Sequence, residues 1–197
     1  MATATYLMWS HAVVGSSCRV TDVVNVDKAW QLQKGVSRAR TFPADAEVHM
    51  HPRSPKSVGL TDNLRNGARL VVASAELTNF LRGQELKQVE YLPVTVKNHK
   101  GRAVKVPYFI VHPVEPIDCL DIAASNPTMN EIIPSDIDWV EQIVLDHARI
   151  DPARRLFRVA RFSNIVFVRD DLAKAVSDGG FSGVAFENLD EYEGSEP

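Results

Sequence analysis

The chain has no apolar run approaching the ~18 residues that a membrane-spanning helix needs. Its opening stretch, Met1 to His11, has no basic segment and an apolar part too short for an export signal, which favours a soluble cytoplasmic protein. Cysteine is scarce: Cys18 and Cys119 are the whole supply, and they match neither a CxxC pair nor a zinc framework. Both are expected to be reduced thiols, with no disulfide implied. Phosphate-cradling glycine motifs are missing, since neither GxGxxG nor GxxxxGK[ST] occurs. Gly179-Gly180-Phe181-Ser182-Gly183 follows an expected helix instead of opening one, so it reads as a C-cap and turn. Neither paired catalytic carboxylates nor a Ser-His-Asp order stands at informative spacing. The net charge of −3 argues against a dedicated nucleic-acid binder.

What remains is an ordinary globular composition: 197 residues, 45% apolar and 24% charged, enough for one good-sized domain with a real core. The modest net charge conceals a segregation along the chain. Residues 28–105 carry an excess of eight positive charges, whereas residues 106–197 carry an excess of ten negative ones. Two halves that interdigitate would cancel locally, and that outcome is expected here; a charged partner surface is the alternative.

Residues 1–66 read as an irregular N-terminal part of the same domain. Val20, Val23, Val24 and Val26 suggest a strand, while 38–45 and 51–57 are proline-containing loops. Residues 67–189 form an α+β core. Ala68 to Val72 has strand character, and Ser74 can cap a helix whose Leu77, Phe80 and Leu81 share one face, with Gly83 as its stop. Residues 89–96 and 103–111 are β-branched and aromatic-rich and flank a charged turn, which predicts a hairpin. Pro93 and Pro107 then require an edge or a bulge. Asp151-Pro152 pairs a cap with a first turn; Asn164 to Val168 predicts a strand, and Asp170 to Val176 a helix. Ile137 to Leu145 fits helix and strand equally. Residues 190–197 read as an acidic, frayed tail.

The fold class expected is α+β, with a mixed or largely antiparallel sheet, a central hairpin and a few packed helices. The expected core is Leu70, Val72, Leu77, Leu81, Val94, Phe109, Phe157, Phe167, Leu172 and Val184. One internal echo stands out: Val71 to Leu77 aligns without gaps to Val166 to Leu172, and each is followed by a helix, a glycine and a strand. A duplicated unit would produce this, and so would capping chemistry common to helices between strands.

Several constellations could carry chemistry. On a strand, His49-Met50-His51 would point both imidazoles to one face, a possible pair of metal ligands lacking a recognisable third. A solvent-facing histidine loop explains the same residues. Arg154, Arg155, Arg158 and Arg161 are the densest basic cluster, read as surface arginines paired with nearby carboxylates in preference to an anion site. Cys119 is expected to be a buried inert thiol rather than a nucleophile. The acidic stretch Glu131, Asp136, Asp138, Glu141 and Asp146, with Trp139 as an aromatic anchor, is the best partner-binding surface. The competing reading pairs these acids with Arg149, Arg154 and Arg155 and places Trp139 in the core.

An ordered series of pieces carries a resemblance: Val71-Val72-Ala73-Ser74-Ala75-Glu76-Leu77 with Phe80-Leu81, Val89 to Val94, Tyr108 to Val111, Ile117 to Asp121, Leu156-Phe157-Arg158, Ile165 to Val168 with Leu172, and Gly183 to Phe186. In that order they resemble a family of bacterial immunity proteins from polymorphic toxin systems, long catalogued as a domain of unknown function. The resemblance implies a cytoplasmic, non-enzymatic protein that binds and neutralises a cognate toxin, with no cofactor, no nucleic-acid or membrane partner and no catalytic residues to carry over. It leaves the oligomeric state open. The other readings are a metal-dependent enzyme centred on His49 and His51, and a regulatory protein-binding module unrelated to toxins.

Overall fold

Short runs in which every residue is apolar, such as Val71-Val72-Ala73 and Val166-Phe167-Val168, need cover on both faces of a strand. The computed structural model, which describes residues 5–192, supplies that cover in layers. One four-stranded sheet has the order β3-β6-β7-β5, formed by β3 (Glu47–His49), β5 (Val71–Ser74), β6 (Val89–Lys97) and β7 (Tyr108–Pro113). The other has the order β10-β11-β1-β12, formed by β1 (Tyr6–His11), β10 (Leu156–Phe157), β11 (Phe167–Arg169) and β12 (Val184–Asn188). Helices α1 (Ala75–Gly83) and α3 (Asp170–Asp178) contribute Leu77, Leu81, Leu172, Ala173 and Val176 to one core cluster between the sheets. Alternation then sorts the strands: Val71, Ala73, Val111, Trp9, Val166 and Val168 face this central cluster. Val72, Val94 and Ile110 face an outer core closed by the N-terminal segment. Met8, Phe157 and Phe167 face a second outer core closed by residues 117–162, a stretch that includes the one-turn helix α2 (Ile122–Ser125). The architecture is α+β.

The internal echo has a structural counterpart. β5 and β6 both run antiparallel to β7, which lies between them, and β11 and β12 both run antiparallel to β1, which lies between them. Each half is therefore a strand-helix-strand unit whose parallel strands have been parted by one antiparallel strand. Helices α1 and α3 run in opposite directions, as polar contacts at their ends show. At one end, the Asp62 carboxylate accepts hydrogen bonds from the hydroxyl of Ser74, the α1 N-cap, at 2.8 Å, and from the backbone N–H and hydroxyl of Ser182, beyond the α3 C-terminus, at 2.9 and 2.7 Å. At the other end, Arg155 donates to Gln84 at the α1 C-cap and pairs with Asp171 in the first turn of α3 at 3.5 Å. Burial alone would raise the Asp62 carboxyl, yet the bonds from Ser182 and Ser74 outweigh it and hold the group below the usual carboxylate range. Gly183 sits in the same clasp with φ +75°; a Cβ there would lie 2.5 Å from the Asn63 carbonyl oxygen and 2.7 Å from Thr61 Oγ1.

Eight of the ten expected core residues are buried, while Phe109 and Val184 are half-buried. Ser74 caps α1 through Leu77 N–H at 3.3 Å, and the 89–96 strand pairs with β7 as a hairpin. Four expectations are corrected. The second hairpin strand begins at Tyr108 and not at 103, because Lys100, Gly101 and Arg102 turn back through Asn98 and leave Ala103 a lone bridge to Lys97. Pro107 thus precedes the strand. Pro93, by contrast, meets the edge expected of it: it lies inside β6 two residues before Thr95, whose N–H bonds the Ala46 carbonyl, and no strand lies beside that part of β6, so no donor is missed. Of the valines near residue 20, only Val20 joins a strand, β2 (Arg19–Val20), paired in parallel with β4 (Arg65–Asn66). The tail does not fray after Leu189: Leu189–Glu191 forms a 3-10 turn with a capping box from Asn188, and Tyr192 packs edge-on against Phe162 at 5.9 Å. The rest of the acidic tail, 193–197, lies outside the described residues. Strand β1, buried at the centre of its sheet, carries the N-terminus into the fold where the sequence pattern offers no strand.

Two basic side chains are fully enclosed. His112 on β7 bonds the Val36 carbonyl at 2.9 Å, so Nε2 carries the proton and donates. Burial pushes the imidazole down to about 4, with Arg158 among the opposing charges. Arg158, which the sequence groups with surface arginines, is 1% exposed, donates to the Ser163 carbonyl at 2.7 Å and has no carboxylate partner among the described residues. Desolvation lowers it to about 9, so the guanidinium stays charged at neutral pH.

Phe167→Ala is expected to cost about 3–5 kcal/mol by urea denaturation, since the ring is fully enclosed. Gly183→Ala should cost about 2–4 kcal/mol, because neither the positive φ nor the carbonyl contact can relax. With its folded pKa near 4 against 6.5 when unfolded, His112 contributes stability that is full above pH 6.5 and is lost as the pH falls through that window. The expected loss is about 2 kcal/mol between pH 7.5 and 5. His112→Gln should flatten that limb in a urea titration series.

Candidate functional site

The acidic stretch folds into a finger projecting from the cover of the β1 sheet. β8 (Pro127–Met129) and β9 (Ile137–Val140) pair antiparallel, with Thr128 opposite Trp139. Between them Asn130 organises the tip as asparagine does in turns, its side-chain oxygen accepting from Ile132 N–H at 2.9 Å and Ile133 N–H at 2.6 Å. Its backbone N–H reaches the Asp136 carbonyl at 3.0 Å, and its amide nitrogen donates to Asp138 at 2.6 Å. Arg161 braces the finger from behind, donating to the Ser135 carbonyl at 2.8 Å while its own carbonyl accepts from Ile137 N–H at 2.9 Å. Lys34 closes the tip turn, where it meets β9, with an ion pair to Asp136 at 2.6 Å.

The structure brings five of the six proposed partner-binding residues onto this finger and its immediate exit, but they do different work. Glu131 at the tip and Asp138 on β9 are exposed, as is Glu141 just past β9, which accepts from Asn126 at 2.9 Å. Asp136 is half-buried in its pair with Lys34. Trp139 is half-buried, its indole N–H enclosed without a protein partner. Asp146 stands apart: it caps the 3-10 turn His147–Arg149 and pairs with Arg149 at 3.1 Å. Of the pairings envisaged with Arg149, Arg154 and Arg155, this one is formed, whereas Arg154 donates to the Val114 and Glu115 carbonyls and Arg155 turns to Gln84 and Asp171.

The charge segregation does not cancel through ion pairs. Among the described residues, the Lys34–Asp136 bridge is the one that joins the basic half of the sequence to the acidic half; the others lie within one half. Local neutralisation is the outcome expected from sequence; in close ion pairs it is limited to that one bridge, with much of each half assigned to its own sheet and cover.

Elsewhere, the chemistry is sparse. His49 ends β3, exposed and 3.0 Å from Glu47, while His51 lies beyond the strand with its Nδ1 3.3 Å from the Arg53 N–H. No group of three or more His, Cys, Asp or Glu among the described residues is placed to hold a metal ion. A polar cleft of about 440 Å³ is lined by Ser10, His11, Asn66, Arg69, Glu187 and Glu191. There Ser10 donates directly to Glu187 at 2.5 Å with no imidazole between them, so no nucleophile-base relay is formed. Burial lowers His11 and keeps it neutral, the Leu70 carbonyl opposing only in part. Cys18 and Cys119 are free and buried in different outer cores, and burial pushes the Cys119 thiol up to about 12. Such a thiol is a poor nucleophile.

The sequence reading missed several exposed apolar groups. Ile132 is 89% exposed and Ile133 50% exposed, both at the finger tip, and Trp30 is 57% exposed four residues before Lys34. A signal for the first pair existed: two β-branched residues enclosed by the turn formers Asn130 and Pro134 have no periodic partner with which to share a buried face.

A comparison with curated proteins finds no match. A protein-family model described as the immunity protein family Imm11 matches residues 8–191, which span both sheets, both covers and the finger. With nearly the whole described chain inside that match, the protein belongs to the Imm11 immunity protein family.

Proposed function

We propose that this protein binds and neutralises a cognate bacterial toxin of a polymorphic toxin system in the cytoplasm, by occupying the toxin and without catalysis of its own. The family match over residues 8–191 carries this reading. The layered scaffold supports it: the sharpest surface feature is a braced acidic finger, whereas the polar cleft lacks a catalytic relay. The partner-binding surface proposed is Glu131, Asp138 and Glu141, with Asp136 and Trp139 holding the finger's form and Asp146 at its periphery. A toxin acting on polyanions needs a basic active site, and a carboxylate-bearing finger complements such a site and steers the approach. No helix among the described residues is long and apolar enough to cross a membrane.

Co-expression tests the function. The C-terminal domain encoded in the adjoining reading frame should arrest growth alone and be tolerated when this chain is produced with it. Survival without this chain, or arrest despite it, would overturn the assignment. The surface is tested by Glu131→Lys with Asp138→Lys, which leaves the Lys34–Asp136 pair intact. Association with the purified toxin domain should slow severalfold in 50 mM salt, and the difference should shrink in 500 mM salt. Identical association rates in the folded variant would move the interface off the finger.

A further inference from the structure

Resting on the toxin-binding reading, we infer that Ile132 and Ile133 at the finger tip are the apolar anchor of the interface, and that the partner presents an apolar crevice rimmed by basic side chains. Three observations carry this. The first is exposure with no structural role: Ile132 is 89% exposed and Ile133 50% exposed, and neither belongs to any of the three core clusters. A β-branched aliphatic chain held in water at a loop tip gains nothing for folding, and adjacent exposed apolar groups within a polar rim mark contact sites. The second is preorganisation. The tip backbone is fixed by Asn130 Oδ1, by the Asp136 N–H to Ile133 carbonyl bond at 2.8 Å, and by Arg161 on Ser135, so little ordering entropy is lost on docking. Arg161 itself adopts a left-handed backbone, φ +67°, a strained conformation that its two bonds to the finger offset.

The third observation is charge around the tip. Glu131 and Asp138 are exposed beside the apolar pair, with Glu141 further off at the base of the hairpin; of the nearby cations, Lys34 is paired with Asp136, while Arg161 donates to the Ser135 carbonyl and keeps its charge, so the carboxylates Glu131, Asp136 and Asp138 outweigh them. The surface is thus an apolar point with an acidic collar, and its complement is an apolar slot with a basic rim. In such interfaces the desolvated centre carries the affinity and the charged rim carries approach and selectivity.

The test separates the anchor from the collar. Binding of the purified toxin domain is measured for the unmodified protein, for Ile132→Ser with Ile133→Ser, and for Val13→Ser, an exposed apolar residue away from the finger at 69% exposure. The double variant should keep its thermal midpoint, because Ile132 contributes nothing to the core, yet bind at least thirtyfold more weakly with the loss in the dissociation rate and little change with salt. Val13→Ser should bind as the unmodified protein does. A folded double variant that binds with unchanged affinity overturns the anchor while the toxin-binding reading stands. An unmodified protein that neither binds nor protects overturns both. Sedimentation showing a dimer of this chain that the double variant dissolves would assign the tip to self-association and overturn the anchor as well.

Discussion

Everything in this molecule depends on two short helices sharing one apolar core between two sheets. A nine-residue helix is marginal on its own, because nucleation costs more than so few hydrogen bonds return. α1 and α3 persist because Leu77, Leu81, Leu172 and Val176 are buried on one side against β5 and β7 and on the other against β1, β10 and β11. Their opposed directions bring the N-terminal end of one to the C-terminal end of the other. The polar clasps belong there: Asp62 serves the cap of α1 and the exit of α3, while Arg155 serves the cap of one and the entry of the other. Asp62 owes its depressed pKa to the same bonds that tie the α1 cap to the α3 exit, so that tie and its acid sensitivity have a common origin.

Placing the helices inside leaves the outer face of each sheet to be covered by something else, and that requirement shapes the irregular segments. The N-terminal segment covers one sheet with Cys18, Val20, Leu32 and Met50; residues 117–162 cover the other with Leu120, Ile137, Val140, Phe157 and Phe162. A cover built from turns can project a hairpin outward at little cost to the core, whereas an edge or helix of the central layer cannot. Ile137 and Val140 root β9 in that outer core, while Asp138 between them points away. The finger therefore stands on the core without being part of it, which suits the recognition role proposed for it.

Legibility followed periodicity. The 71–83 and 166–178 segments combine buried strand runs, a cap position and a 3.6-residue apolar stripe, and both formed as read, with Ser74 bonding Leu77 N–H. β1 escaped because Tyr6-Leu7-Met8-Trp9-Ser10-His11 is held by partners more than 150 residues away in sequence, and no local pattern announces Val168 or Phe186. Val20 to Val26 failed for the opposite reason: Val20, Val23 and Val26 are needed as core side chains on a turning backbone, with Asn25 at φ +63°. Within the site, acids were visible because charge is read one residue at a time. Whether a given acid is free or spent is a three-dimensional fact, and Asp136 and Asp138, two positions apart, divide on it through Lys34 and Asn130.

The uncancelled charge of the two halves gives the finger its last physical property. Opposite charges dispersed through one surface produce fields that fade within a Debye length of about 8 Å at physiological salt, but segregated charges act together over the approach of a partner. Because the layers keep residues 106–197 largely on one side, the finger sits among the acidic half, and the one cross-half bridge among the described residues, Lys34–Asp136, neutralises a single carboxylate of the tip turn and leaves Glu131 and Asp138 unpaired with a cation. That placement has two consequences for the proposed toxin-binding role. A basic partner would be drawn to the side from which the finger projects, raising the fraction of encounters in a productive orientation. If the tip is the anchor proposed above, capture would begin with long-range attraction and be completed by desolvation of two isoleucines. Neither stage requires the scaffold to move, and a scaffold with Asn130, Arg161 and Lys34 already engaged is built to remain still.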